Sequence, residues 1–236
     1  MTAEEKVNLA CFLDLASAVI RDGYHCGEQK YQFSDDPEPQ DTGTGNTVFA
    51  DSLERIAADV RVCTACRLCE TRKNAVPGEG AQSPQVMVIG EGPGADEDAS
   101  GRPFVGRAGQ LLDKMLASIG LSRESNCFIA NVIKCRPPVN RDPRPEETAA
   151  CAAFLDRQIQ ILKPRFVLVT GRIAGQTLLN TTAGIGRFRG RFINFQAGGE
   201  TIPLIATYHP SALLRNEDLK RPAWEDLKLL RSALGE

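Results

Sequence analysis

Several features are scarce in these 236 residues. No apolar run approaches the roughly 20 residues that a membrane span needs, and the N-terminus carries no basic segment followed by an apolar one. The expectation is therefore a soluble, cytoplasmic protein with no membrane partner. Neither GxGxxG nor the P-loop pattern is present, which argues against a nucleotide cofactor. Histidine occurs only twice, at His25 and His209, so imidazole chemistry has few candidates. There is no internal repeat, and the net charge of −2, taken whole, argues weakly against a polyanion as partner.

That small net charge hides an asymmetry. Residues 1–60 hold 4 Lys and Arg against 12 Asp and Glu, whereas residues 61–236 hold 24 against 18. The body of the protein is basic, and an acidic arm masks it. Within the arm, Thr2 to Arg21 has apolar residues at helical spacing, and Gly23 to Asn46 reads as a flexible linker rich in Gly, Pro, Asp and Gln. Residues 1–50 are expected to form a solvated or partner-docking extension outside the chemistry, and residues 51–236 the domain that carries it.

With an apolar fraction of 42%, the remainder is long enough to bury a core. Leu53 to Val62 reads as a short helix. Expected strands at Val86–Ile89, Cys127–Ile133, Phe166–Thr170, Phe192–Phe195 and Ile202–Thr207 are interleaved with expected helices near 108–119, 146–162, 173–179 and 222–234. Strands separated by helices of this length imply crossover connections and a mainly parallel α/β sheet covered on both faces.

The stretch Val86 to Gly106 is the most informative. It runs from an apolar strand into Gly90-Glu91-Gly92-Pro93-Gly94, then through Asp96, Glu97 and Asp98 to Phe104. Open α/β folds place ligands at the carboxyl ends of their strands, so this stretch is expected to wall an active site. A phosphate is a poor fit for the turn, because Glu91 would repel it; the carboxylates suit a developing cation or a water molecule. Asp96 and Asp98 individually read as part of a solvated acidic turn. Asn131 ends a later strand on the same sheet edge and offers a donor and an acceptor together, as the edge of a nucleobase requires. His209 follows another strand and precedes a proline-fixed turn, a placement that favours a working imidazole.

Eight cysteines complete the inventory. In a cytosolic chain they favour metal ligation or buried thiols over disulfides. Cys63, Cys66 and Cys69 form CxxCxxC, with Cys135 and Cys151 the plausible completing ligands, and spacing alone leaves zinc and an iron-sulfur cluster open. Cys127, inside an apolar strand, reads as a core residue.

Five segments in order, CTACRLCETR at 63–72, GEGPGADED at 90–98, GRPFVGRAGQLL at 101–112, NVIKCRPP at 131–138 and HPSALLR at 209–215, resemble the uracil-DNA glycosylase superfamily and specifically its iron-sulfur family 4. The resemblance spans residue 62 to the C-terminus. It implies a three-layer sandwich with a central, mainly parallel sheet, a 4Fe-4S cluster held by Cys63, Cys66, Cys135 and Cys151 with Cys69 spare, and a monomer acting on uracil-containing DNA, single- or double-stranded. It further implies that Phe104 stacks on an extruded uracil and that Asn131 reads its edge. By the same resemblance Glu97 would exclude a C5 methyl, and His209 with the Gly92 backbone would stabilise charge on O2. Glu91 would position water and favour the sugar cation, Leu213 or Leu214 would wedge into the base stack, and Arg215 would lie near a phosphate. Basic segments at Lys134–Arg144, Arg187–Arg191 and Arg215–Arg221 are expected to face the DNA backbone, with Lys220 and Arg221 as ordinary surface charge. The competing expectation is a non-catalytic iron-sulfur or zinc module that binds nucleic acid, although a pure binder has no need of an acidic pocket.

Overall fold

A computed structural model of the protein describes residues 51–235. The expected helix Thr2 to Arg21, the linker Gly23 to Asn46, Cys11, Cys26 and His25 lie outside the described residues.

The sheet grows from continuous apolar runs. Strands β2 (Val86–Gly90) and β3 (Cys127–Asn131) are buried at every position, and β4 (Phe166–Thr170) at all but its first, the pattern of parallel strands covered on both faces. With β1 (Glu79–Gly80), β5 (Phe192–Ala197) and β6 (Glu200–Thr207), they form one six-stranded sheet in the order β1-β3-β2-β4-β6-β5. The four central strands are mutually parallel, and the two edge strands pair antiparallel.

Alternation along each strand divides the interior into two layers. Met87 and Ile89 of β2, with Phe128, Ala130, Val167 and Val169, pack against helices α1 (Leu53–Val62) and α4 (Pro145–Leu162). Val86, Val88, Ile129 and Leu168 pack on the other face with α3 (Arg107–Ala117) and α7 (Lys220–Leu234). Helix α5 (Arg172–Leu178) contributes Ala174 to the first layer. The expected three-layer α/β sandwich is what forms. Among the described residues, no helix is long and apolar enough to cross a membrane.

Local chemistry explains where the helices start. Ser52 accepts from the Arg55 amide at the head of α1. Pro145 occupies the first turn of α4, where its missing N–H costs nothing. At the same end Glu147 accepts from the Arg144 amide at 2.8 Å and is clamped by both guanidinium nitrogens of Arg141 at 2.6 and 2.8 Å. Two short helices that the sequence pattern does not reveal, α2 (Ala95–Ser100) and α6 (Pro210–Arg215), sit at the carboxyl edge of the sheet, immediately after the turns that follow β2 and β6.

Candidate active site

All four parallel strands deliver their carboxyl ends to one side. Gly90 and Asn131 are register partners on adjacent strands, as are Thr170 and Thr207. The loops leaving these ends enclose a cavity of about 640 Å³. Its lining includes Glu91, Gly92, Glu97, Phe104, Asn131, His209 and Arg215. Seven of the nine site residues expected from the sequence, apart from the cysteines, therefore converge on one space.

Asn131 is 1% exposed, and its Oδ1 is buried with no hydrogen-bond partner. An unpartnered buried acceptor costs roughly 1–3 kcal/mol, and a ligand N–H in the cavity would satisfy it. Gly90 makes the room: a Cβ there would lie 2.5 Å from this oxygen and 2.6 Å from Cζ of Phe104.

Phe104 is held by its neighbours in a conformation that it would not choose. It is 6% exposed, and its φ is +53°, a left-handed value rare for a bulky residue. Arg123 donates to the carbonyls of Pro103 and Phe104, both at 2.9 Å, while its own guanidinium is anchored by Glu79 and Asp113 at 2.7 Å each. From the other side Glu97 Oε1 accepts from the amides of Val105 at 2.9 Å and Gly106 at 3.0 Å, and Oε2 accepts from Gly94 at 3.1 Å. Glu97 thus fastens the Phe104 loop as well as lining the cavity. Gly109 completes the fit, since a Cβ at that position would meet the Phe104 carbonyl oxygen at 1.9 Å.

His209 caps α6. Its Nδ1 accepts from the Ser211 amide at 3.2 Å and lies 2.8 Å from Ser211 Oγ. Nδ1 is therefore the acceptor nitrogen, which leaves the proton of the neutral ring on Nε2. Burial, reinforced by the charge of Arg215 and opposed by Glu97, pushes the imidazole down to about 4, so the ring is neutral at pH 7. The Phe104 and His209 rings stand 5.6 Å apart between centroids, inclined at 32°. Glu91 moves in the opposite direction: burial, then the nearby Asp142 carboxylate, pushes it up to about 7 against the pull of Arg172.

The cysteines form a second site. Cys63, Cys66, Cys135 and Cys151 line one small enclosed space with Val60, Arg72 and Phe154, and Cys69 is not part of that lining. No group of three or more His, Cys, Asp or Glu among the described residues is placed to hold a single metal ion; the four thiols instead surround a shared volume. Arg72 donates to Cys135 Sγ at 3.0 Å, and the Lys134 amide donates to Cys151 Sγ at 3.3 Å. Hydrogen bonds of this kind suit sulfurs that carry negative charge.

Several expectations are corrected. Leu213 is 2% exposed and packs in the second core layer, so it is not presented to a base stack; Leu214, at 42%, is the exposed member of the pair. Lys134 does not face outward: it is 1% exposed, and its Nζ donates to the Asn131 carbonyl at 2.9 Å and to Gln158 Oε1 at 2.8 Å. Arg189 is tied to the fully buried Asp226 at 2.9 and 3.0 Å and donates to the Pro222 carbonyl, which removes it from any phosphate-facing set. Asp98 is buried rather than solvated and accepts from the Lys73 amide at 2.8 Å. Strand β3 ends at Asn131, so Cys135 lies in the loop beyond it. Residues that the sequence reading missed are Arg123, Glu79 and Ser211, all of which act through distant or backbone partners.

An open α/β sheet with an unpartnered amide, a neutral imidazole and a half-buried carboxyl around a cavity at its carboxyl edge defines a small-molecule or base-binding enzyme class. The profile of the uracil DNA glycosylase superfamily matches residues 77–228, and the chain belongs to that superfamily. It is 43% identical over 189 residues to the type-4 uracil-DNA glycosylase of Saccharolobus solfataricus, covering 78% of this chain and 87% of that protein. The type-4 uracil-DNA glycosylase of Archaeoglobus fulgidus is 41% identical over 192 residues, covering 79% and 95%. That of Thermotoga maritima is 44% identical over 183 residues, covering 76% and 93%.

Proposed function

We propose that the protein is a DNA repair glycosylase that extrudes uracil from DNA into this cavity and hydrolyses its N-glycosidic bond, releasing the base and leaving an abasic site. The observation that carries the reading is the unpartnered, buried Oδ1 of Asn131. Uracil presents a donor at N3 and an acceptor at O4, which one side-chain amide matches in full; cytosine presents an acceptor at N3 and a donor at N4, so the amide in the same orientation meets acceptor with acceptor and donor with donor. Discrimination built on a buried polar group left unpaired is the strong kind.

The remaining residues divide the work. A base in a stacked duplex is out of reach, so the nucleotide is flipped, and Phe104 offers a face on which it stacks. Neutral His209 directs Nε2–H at O2, joined by the Gly92 backbone, and stabilises the charge that develops as the bond to C1′ breaks. Glu91, as carboxylate, orients water and favours the sugar cation. Glu97 narrows the space beside C5, where thymine carries a methyl. Leu214 fills the gap left in the stack, and Arg215 meets a phosphate.

What supports a 4Fe-4S cluster on Cys63, Cys66, Cys135 and Cys151 is that these thiols line one shared space, which Cys69 does not join. When bound, the cluster supplies cross-linking that orders the loops carrying its ligands, and no step of the hydrolysis passes through it. The domain expected to act is residues 51–236, as a monomer.

A labelled oligonucleotide containing one uracil, incubated with the protein and then treated with alkali, should break at that position. No break there overturns the reading. Binding without base release would support instead a non-catalytic nucleic-acid module.

A further inference from the structure

The loop between β3 and α4 contains a residue that neither packing nor backbone preference explains. Val139 is 93% exposed, and its φ of +57° and ψ of +22° are left-handed values. For a β-branched side chain this is a genuine outlier, and such strain persists only where the surroundings impose it. Here they do. Pro137 is buried, and the Asn140 amide donates to its carbonyl at 3.0 Å. Arg136 Nε donates to Asn140 Oδ1 at 2.7 Å, and Asn140 itself is left-handed, with φ +52°. The turn is fastened on both sides of Val139, and its apolar side chain is delivered to solvent.

Its position gives the exposure a meaning. Pro137, Asn140 and Arg141 line the active-site cavity, and so does Arg215 beside Leu214. The large apolar side chains exposed among the described residues are Val62, Val139, Phe192, Leu214 and Leu229. Of these, Val139 and Leu214 are the two with an adjacent residue in that lining. They follow β3 and β6, the outer members on opposite sides of the parallel set β3-β2-β4-β6.

We infer that Val139 is a second apolar wedge, which enters duplex DNA beside the extruded nucleotide from the flank opposite Leu214. Apolar side chains inserted at a base step unstack it and favour bending, and two such contacts bracket the vacated position. A strained turn keeps Val139 presented before DNA arrives, so ordering it adds nothing to the cost of binding. This inference rests on the glycosylase reading above.

The test compares Val139→Gly, Val139→Ile and the unaltered protein on the same uracil-containing sequence, single-stranded and in a duplex, under single-turnover conditions. Glycine accepts the left-handed backbone without strain, so Val139→Gly should keep its melting temperature or raise it. Its excision from the duplex should fall on the order of 5- to 20-fold, against about 100-fold for loss of a direct donor, while the single-stranded rate stays within about twofold. Val139→Ile should retain the duplex rate. An equal loss on both substrates, or no loss on the duplex, overturns the wedge. Absence of excision from both substrates by the unaltered protein would overturn the glycosylase reading itself.

Discussion

The ammonium of Lys134 lies against the backbone of Asn131, donating to its carbonyl at 2.9 Å while the Lys134 amide donates to Cys151 Sγ at 3.3 Å. One residue thus touches both the segment proposed to read the base and the cysteine-lined space. Lys134→Met leaves the Asn131 carbonyl and Gln158 Oε1 without their donor. Uracil excision should fall about 10- to 100-fold, and combining it with Asn131→Ala should cost little beyond Asn131→Ala alone, since residues in one network are non-additive. Single-turnover rates of the four proteins in this cycle decide it; full additivity would show that Lys134 acts elsewhere.

In the proposed reaction Glu91 sets the pH dependence. Its carboxyl is pushed up to about 7, so it is protonated below that pH and a carboxylate above it. If the carboxylate orients water, the rate should climb nearly tenfold per pH unit from pH 5 towards 7 and level off above. His209, pushed down to about 4, stays neutral throughout and adds no second limb. Glu91→Gln should lower the rate and flatten the profile. A profile that falls from pH 5 to 8 contradicts these roles.

Gly90 tests the fit between two elements. The Cβ of Gly90→Ala would sit 2.5 Å from Asn131 Oδ1 and 2.6 Å from the Phe104 ring, so both must move. Excision should drop on the order of 100-fold while circular dichroism at 25 °C stays unchanged. A fully active Gly90→Ala protein would mean that neither side chain needs its present place.

Arg123 is the anchor of the Phe104 loop. Arg123→Met strips the donor from two carbonyls and two carboxylates, a loss of about 2–3 kcal/mol for half-buried charged hydrogen bonds. That corresponds to a melting temperature roughly 5–10 °C lower for a domain of this size. Excision should fall even well below the melting temperature, because Phe104 relaxes from its left-handed backbone. An unchanged rate at 25 °C would separate stability from the site.

Iron content separates the cysteines. Cys69→Ser should retain the full complement of iron and sulfide, whereas Cys63→Ser or Cys151→Ser should lose most of it and melt earlier. Equal loss in all three would return Cys69 to the ligand set.

The strands and the main helices follow from apolar runs, and Glu91, Asn131 and His209 from what stands at the carboxyl ends of those runs, whereas the roles of Gly92, Glu97, Phe104 and Arg215 rest on the family resemblance. Phe166–Thr170 and Leu53–Val62 match the expected elements to the residue. Helices α2 and α6 escape because each has six residues, too few for a 3.6-residue repeat to appear. Strand β1 has two residues and exists only by pairing with β3. The basic runs misled for a different reason. Charge along the chain does not say which way a side chain points, and the partners that draw Lys134 and Arg189 inward, Gln158 and Asp226, lie 24 and 37 residues away. Arg123 was invisible on the same ground, since it grips carbonyls that any sequence would provide.

The tie between His209 Nδ1 and the Ser211 amide also has a kinetic consequence. In the proposed reaction the imidazole enters each turnover with its proton on Nε2, lends that proton as a hydrogen bond, and still holds it when uracil departs. The ring requires no exchange with bulk water to be ready again. If movements of DNA and product pace successive turnovers, a viscogen should slow them while heavy water leaves that step almost untouched.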